Sequence, residues 1–274
     1  VTFQPSADIS AYIANSHTLF NVLSAVVFLP INKYYVKFLE HVVRGKEKEA
    51  GISIHLDKLL LDTPLAAIKA SVSEIQRAAE ISKGMLNMVM DGFFNNNLKL
   101  LEKVEEQEEV VNQLQKDVTA YIVDLSKRPM SEDQSVMVPA LISAINHIER
   151  SADHAEEMLR LVTAKIERKI QFSNEAIQEI TQLHGIVLEM FNTAIEAIAL
   201  DEPELLEQLR VLEERMDRLS ATMVQNHINR LEAGLCQVDA GVLFIDIINY
   251  QERIADHVYK FCRAIVKHES IPQK

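Results

Sequence analysis

The sequence predicts an all-α protein, made of tandem three-helix bundles with six long helices and preceded by a hydrophobic N-terminal helix. Its 274 residues include only 7 Gly and 7 Pro. Folds of many short strands need far more of these turn-forming residues, so they are excluded. Beyond Gly51 the apolar residues recur with the 3.6-residue period of helices, and the pattern occurs twice.

The first 50 residues are predicted to end a membrane domain with its last transmembrane helix. From Ile9 to Asn32 no residue is charged, and a helix of this length crosses a bilayer of about 30 Å. Polar residues such as Asn15 and Ser24 favour a helix packed against other membrane helices. The alternative is a buried helix of a soluble domain. A basic flank follows at Lys33, Lys37, Arg44, Lys46 and Lys48.

This basic flank predicts the orientation in the membrane. Positively charged residues next to a span stay on the cytoplasmic side. The chain from about residue 33 onward is therefore expected on the cytoplasmic side of the inner membrane.

Local signals predict where the helices of the first repeat begin and end. Thr63 is an N-cap residue, and Pro64 suits the first helical position. An Asp91-Gly92 pair and a run of three asparagines predict a turn, and Ser131 opens another helix. The predicted helices span about residues 64–90, 98–127 and 131–169. Similar breaks in the second half fall at Ser173, Asp201-Glu202-Pro203 and Ala233-Gly234.

Two segments about a hundred residues apart match in register. Residues 145–154 read INHIERSADH, and residues 248–257 read INYQERIADH. A duplicated three-helix unit is the simplest explanation. We predict one bundle over residues 55–170 and a second over residues 171–270.

The repeated segments carry carboxylates four residues apart, which project from one helix face. A second helix of each unit carries residues of similar type at the same spacing, so packing the two helices together would make oxygen-bearing side chains converge. Such a set suits Mg²⁺, Ca²⁺, Mn²⁺ or iron, and His154 and His257 could add nitrogen ligands. The alternative is a solvated, acidic helix face. The residues concerned are Glu149 with Asp153, Glu252 with Asp256, Glu108 with Asn112, and Glu213 with Asp217.

Charge and motifs exclude several classes of function. The formal net charge is −12, whereas a general nucleic-acid-binding surface needs clustered Lys and Arg. The sequence contains no Gly-rich phosphate loop, no Gly-x-Ser-x-Gly and no zinc-protease helix motif. We therefore predict no nucleic-acid partner, no enzymatic activity, no catalytic residue and no organic cofactor.

The repeated Glu-Arg-x-Ala-Asp-His segments, with acidic pairs on the neighbouring helices, resemble PhoU domains, which are bacterial phosphate-signalling modules. The resemblance implies divalent or trivalent metal ions, with iron or zinc as the usual metals of the family. Asn112 stands where the family motif has Asp, which implies weak or absent binding in the first unit. The implied metal ligands are Glu149, Asp153, Glu252, Asp256, Glu213, Asp217 and Glu108.

The segment from Ala14 to Val22, ahead of an apolar helix that ends at Leu29-Pro30, is similar to the close of a sodium/phosphate cotransporter membrane domain. The two resemblances together imply the cytoplasmic regulatory tail of a sodium-dependent phosphate transporter. Its expected partners are its own upstream transmembrane transport domain, a second copy of the chain and phosphate-signalling proteins. The alternatives are a soluble, dimerising PhoU-like adaptor and, less favoured, a metal-dependent enzyme.

Overall fold

A computed structural model describes residues 15–26, 28, 53–200 and 202–269. Residues 1–50 and 51–274 form two separate units. Residues 15–26 of the first unit form helix α1. The second unit contains a short 3₁₀ helix at Lys58–Asp62 and the long helices α2 (Pro64–Asn95), α3 (Leu98–Leu125), α4 (Glu132–Glu167), α5 (Asn174–Leu200), α6 (Pro203–Glu232) and α7 (Val238–Glu269).

The predicted all-α class and the two sets of three helices are confirmed, since the described residues contain no strand. Within each set all three helices pack against one another, and α4 packs extensively against α7 between the sets. The apolar faces of all six helices share one hydrophobic core. The predicted division at residues 170 and 171 lies in the connection between α4 and α5 and stays a prediction.

The helix starts follow from local chemistry. Pro64 occupies the first turn of α2, where its missing N–H costs no hydrogen bond. The Ser131 hydroxyl accepts the Gln134 backbone N–H at 3.3 Å, and the Gln134 side chain accepts the Ser131 N–H at 3.1 Å. This reciprocal capping box fixes the start of α4.

The predicted turn lies at the run of asparagines and does not include Asp91-Gly92, because α2 continues to Asn95. A Cβ at Gly92 would lie 2.7 Å from the side chain of Leu101. Gly92 therefore allows α3 to approach α2 closely, rather than breaking the helix. Asn96 caps the end of α2 with a left-handed φ of 53°.

Helix α1 exposes its apolar side chains. Six large apolar residues between positions 19 and 28 are 54–69% exposed: Leu19, Phe20, Val22, Leu23, Val26 and Phe28. The rest of the predicted membrane segment over residues 1–50, with its basic flank, lies outside the described residues. Within the described part of the chain, one helix is long and apolar enough to cross a bilayer, and this is α5, Asn174–Leu200. Half of its apolar window is buried in the bundle.

Candidate functional site

The carboxylates of the first repeat meet across α3 and α4. Gln115 of α3 donates to Asn146 of α4 at 2.9 Å, which fixes the register of these helices. Glu108 lies two turns before Gln115 on α3, and Asp153 lies two turns after Asn146 on α4. Glu108 and Asp153 are therefore opposite each other. Burial raises the pKa of Glu108, and the negative charges of Glu156 and Asp153 raise it further. Glu156 lies outside the four-residue spacing that marks the other carboxylates.

Two more groups complete this first carboxylate set. Asn112 donates a hydrogen bond to Glu108. This hydrogen bond partly stabilises the negative charge of the Glu108 carboxylate. Burial and the charge of Asp153 raise the pKa of Glu149, while Arg150 lowers it. Burial also raises the pKa of Asp153 itself. The first repeat therefore concentrates negative charge in half-buried positions, where ionisation is costly.

The second repeat forms a related set on α6 and α7. Burial raises the pKa of Glu213, followed by the charges of Asp217 and Asp256. Ser220 donates to Glu252 at 2.9 Å. Lys260 forms an ion pair of 2.7 Å with Asp256. This set therefore includes a cation from the chain itself, which offsets part of the charge that a metal would neutralise.

The four pairs named from the sequence thus lie where neighbouring helices meet, as their spacing predicts. Among the described residues, however, no three His, Cys, Asp or Glu side chains are arranged to hold one metal ion. The metal ligands stay predictions.

The histidines that neighbour these carboxylates in the sequence lie between the repeats, where the charge of Asp256 also acts on His147 and His257. The rings of His154 and His257 stack with centroids 5.4 Å apart. His147 Nδ1 lies 3.2 Å from His257 Nδ1, and Tyr250 packs on His154 with ring centroids 5.7 Å apart. His147 and Tyr250 are equivalent positions in the two repeats. This aromatic cluster joins α4 to α7, which no spacing within one helix could predict.

Replacing Asp153 with asparagine is expected to stabilise the metal-free bundle at neutral pH by about 0.5–1 kcal/mol. The pKa of Asp153 is higher in the folded than in the unfolded state, so folding favours proton uptake there. Stability therefore rises as the pH falls through the raised pKa toward the unfolded value, and is lost as the pH rises. Urea denaturation with a chelator, between about pH 4 and pH 7, measures both effects.

The matched control is Glu106→Gln, an exposed carboxylate on α3. Its stability and pH dependence should equal those of the wild type within about 0.5 kcal/mol. A less stable Asp153→Asn protein in chelator at neutral pH would show that this carboxylate is not repelled in the folded state.

The comparison with protein families adds to this geometry. The model of the family described as PhoU domain matches twice, at residues 75–162 and 180–265. The chain belongs to the PhoU domain family. The two PhoU matches fall on α2–α4 and α5–α7, the two sets of three helices.

Individual relatives agree with the PhoU assignment. The chain is 20% identical over 217 residues to "Phosphate-specific transport system accessory protein PhoU homolog 1" of Thermotoga maritima. The aligned region covers 78% of this chain and 91% of the relative. PhoU of Pseudomonas aeruginosa superposes with a TM-score of 0.69 at 16% identity, over 75% of this chain and 98% of that structure. The phosphate transport system regulatory protein PhoU of Streptococcus pneumoniae superposes with a TM-score of 0.67 at 16% sequence identity. The match covers 76% of this chain and 97% of that structure. These two structural matches establish the fold.

Proposed function

We propose that the chain is an accessory regulator of phosphate transport that acts by binding protein partners, as a PhoU-like adaptor. The observation that carries this proposal is the double PhoU match over the two helical sets. The Thermotoga relative is named as an accessory protein of a phosphate transport system. The acidic sets on α3–α4 and α6–α7 carry an excess of negative charge, which favours basic partner surfaces.

A regulator must bind its partner or ligand differently in two states of the transport system. The test is the initial rate of labelled phosphate uptake in cells with and without this chain, at high and low external phosphate. We expect the rate and its dependence on external phosphate to change, while uptake of an unrelated solute stays the same. Equal phosphate uptake in both strains at every concentration would contradict the proposal.

A charge-reversed double variant and a matched control test whether the first acidic set is needed for the regulation of phosphate uptake. Glu149→Lys with Asp153→Lys should reproduce the uptake of cells lacking the chain. The control, Glu106→Lys, changes an exposed carboxylate on α3 and should leave uptake as in the wild type. Circular dichroism of each purified protein verifies that the variants stay helical.

A second candidate is the cytoplasmic regulatory tail of a sodium-dependent phosphate transporter, attached at the inner membrane. The apolar side chains of α1, such as Phe20 at 69% and Val26 at 63% exposed, support it. Such a surface is costly in water and favourable in lipid. Extraction of cell membranes with alkaline carbonate distinguishes the candidates. An adaptor is released, whereas a tail with its own membrane domain stays in the pellet.

We also propose that divalent or trivalent metal ions bind the second carboxylate set, as the resemblance implies. Protein purified without chelator should then contain metal by elemental analysis, and Glu252→Ala with Asp256→Ala should lose it. The acidic pair of Glu213 and Asp217 supports the proposal through its charge. Equal and negligible metal in both proteins would contradict it.

A further inference from the structure

A small cavity lies where the α4–α5 and α6–α7 connections meet. Its volume is about 230 Å³, and residues of both connections line it, together with His227 of α6. Leu235 at its edge is 73% exposed, so the cavity opens at the surface. None of its lining residues is an acid, a lysine or an arginine. An uncharged molecule therefore enters it at a lower desolvation cost than an ion.

His227 is the unusual side chain of this cavity. It is only 2% exposed, yet neither ring nitrogen has a hydrogen-bond partner among the described residues. Its ring stacks on Phe244, with centroids 4.6 Å apart. A Cβ at position 241 would lie 2.6 Å from Nε2, so Gly241 leaves room for the ring. A buried polar group without a partner is costly, so the His227 ring is the side chain of this cavity that gains most from a hydrogen-bonding molecule.

Cys236 lines the same cavity and is partly exposed. Arg230 pairs with Glu179 at 2.6 Å, and Glu179 and Cys236 both raise the pKa of Arg230. The Arg230 guanidinium, held by Glu179, therefore lies near the Cys236 thiol.

Burial lowers the pKa of His227, and the charge of Arg230 lowers it further. The ring is therefore neutral at physiological pH, with one nitrogen that donates a hydrogen bond and one that accepts. A neutral imidazole can take the thiol proton and can later donate a hydrogen bond to an oxygen on the sulfur. The cavity has the volume for that oxygen.

From the cavity, the unpartnered His227 and the partly exposed thiol, we propose that Cys236 is a site of oxidation by small hydroperoxides. The Cys236 thiolate attacks one peroxide oxygen, a sulfur–oxygen bond forms and the O–O bond breaks. The sulfur loses two electrons and becomes a sulfenic acid. The peroxide is reduced, and its leaving oxygen takes a proton to form water, or an alcohol from an organic hydroperoxide.

The second cysteine supplies an internal control. Cys262 is fully buried in α7, and burial raises the pKa of its thiol to about 12. A buried thiol of this kind is inert. Both cysteines are free, so one digest of the folded protein reports on both.

The test exposes the folded full chain to hydrogen peroxide with a sulfenic-acid trap and measures adduct formation by mass spectrometry. We expect Cys236 to react about tenfold faster than Cys262 and faster than the same cysteine in an unstructured peptide of residues 230–242. This comparison needs no variant, so it holds even if substitutions at His227 unfold the protein. Reaction at the peptide's rate or slower would overturn the proposal.

The role of His227 is tested by His227→Gln, which removes the proton acceptor but keeps a polar side chain. We expect the rate at Cys236 to fall about fivefold, as for the loss of one hydrogen bond. The control is His184→Gln, which alters another largely buried imidazole, on α5, whose pKa burial lowers to about 4. His184→Gln should leave the rate unchanged. An unchanged rate in a folded His227→Gln protein would overturn the role of His227.

Discussion

Glu74→Ala is expected to lower the free energy of unfolding by about 3 kcal/mol and to release the segment before the first bundle. Glu74 is fully buried in α2, and one of its oxygens accepts the backbone N–H groups of Ile54 and His55 at 2.5 Å. Arg77 binds its other oxygen at 2.8 Å. The substitution leaves two backbone donors without their acceptor, which is more costly than losing an exposed ion pair.

The same segment has a second attachment. Tyr121 of α3 donates to the Asp57 carbonyl at 2.8 Å. Loss of Glu74 should therefore detach residues 53–55 first, with faster hydrogen exchange and proteolysis there than at the 3₁₀ helix.

Two variants complete the measurement. Glu80→Ala removes a more exposed ion pair with Lys83 and should cost less than about 1 kcal/mol. Glu74→Gln keeps an acceptor oxygen, so its loss of unfolding free energy should lie between those of Glu74→Ala and Glu80→Ala. Wild-type stability and exchange in Glu74→Ala would mean that these short hydrogen bonds do not hold the segment.

The fold could be predicted from the sequence because its determinants are local. Thr63 with Pro64, Ser131 and Pro203 act within one turn of the chain, and the structure begins α2, α4 and α6 beside them. Helix periodicity and the repeat then supply the three-helix sets. Gly92 shows the limit of local rules, since its role is the approach of Leu101 from another helix.

The candidate site was predictable in part for the same reason. Spacing of four residues places Glu149 and Asp153 on one face, and antiparallel neighbours bring Glu108 opposite. The contribution of Glu156 depends on the angle at which α3 meets α4, and the stacking of His154 on His257 depends on the packing of α4 against α7. Such tertiary pairings leave no periodic signal. The cavity beside His227 likewise forms only when two distant connections meet.

Lys165→Ala is expected to lower the free energy of unfolding by about 2–3 kcal/mol. Lys165 is 8% exposed, and its ammonium donates to the Phe93 carbonyl at 2.6 Å and to Asn96 Oδ1 at 2.8 Å. It also lies 4.7 Å from the centroid of the Phe93 ring. Phe93 belongs to the last turn of α2, whose carbonyls lack helical partners and carry the negative end of the helix dipole. Chemical denaturation of the purified chain measures the loss.

The size of this effect depends on which part of Lys165 stabilises the bundle. Burial lowers the pKa of Lys165, so its charge has a desolvation cost that the two hydrogen bonds and the Phe93 ring must offset. Lys165→Met keeps the apolar stem and removes the charge, and it leaves the Phe93 carbonyl without its donor. We expect Lys165→Met to lose about half as much as Lys165→Ala, while the exposed Lys127→Met changes stability by less than about 0.5 kcal/mol. If Lys165→Met is as stable as the wild type, the charge gains nothing over its desolvation cost, and packing of the stem alone connects α4 to the end of α2.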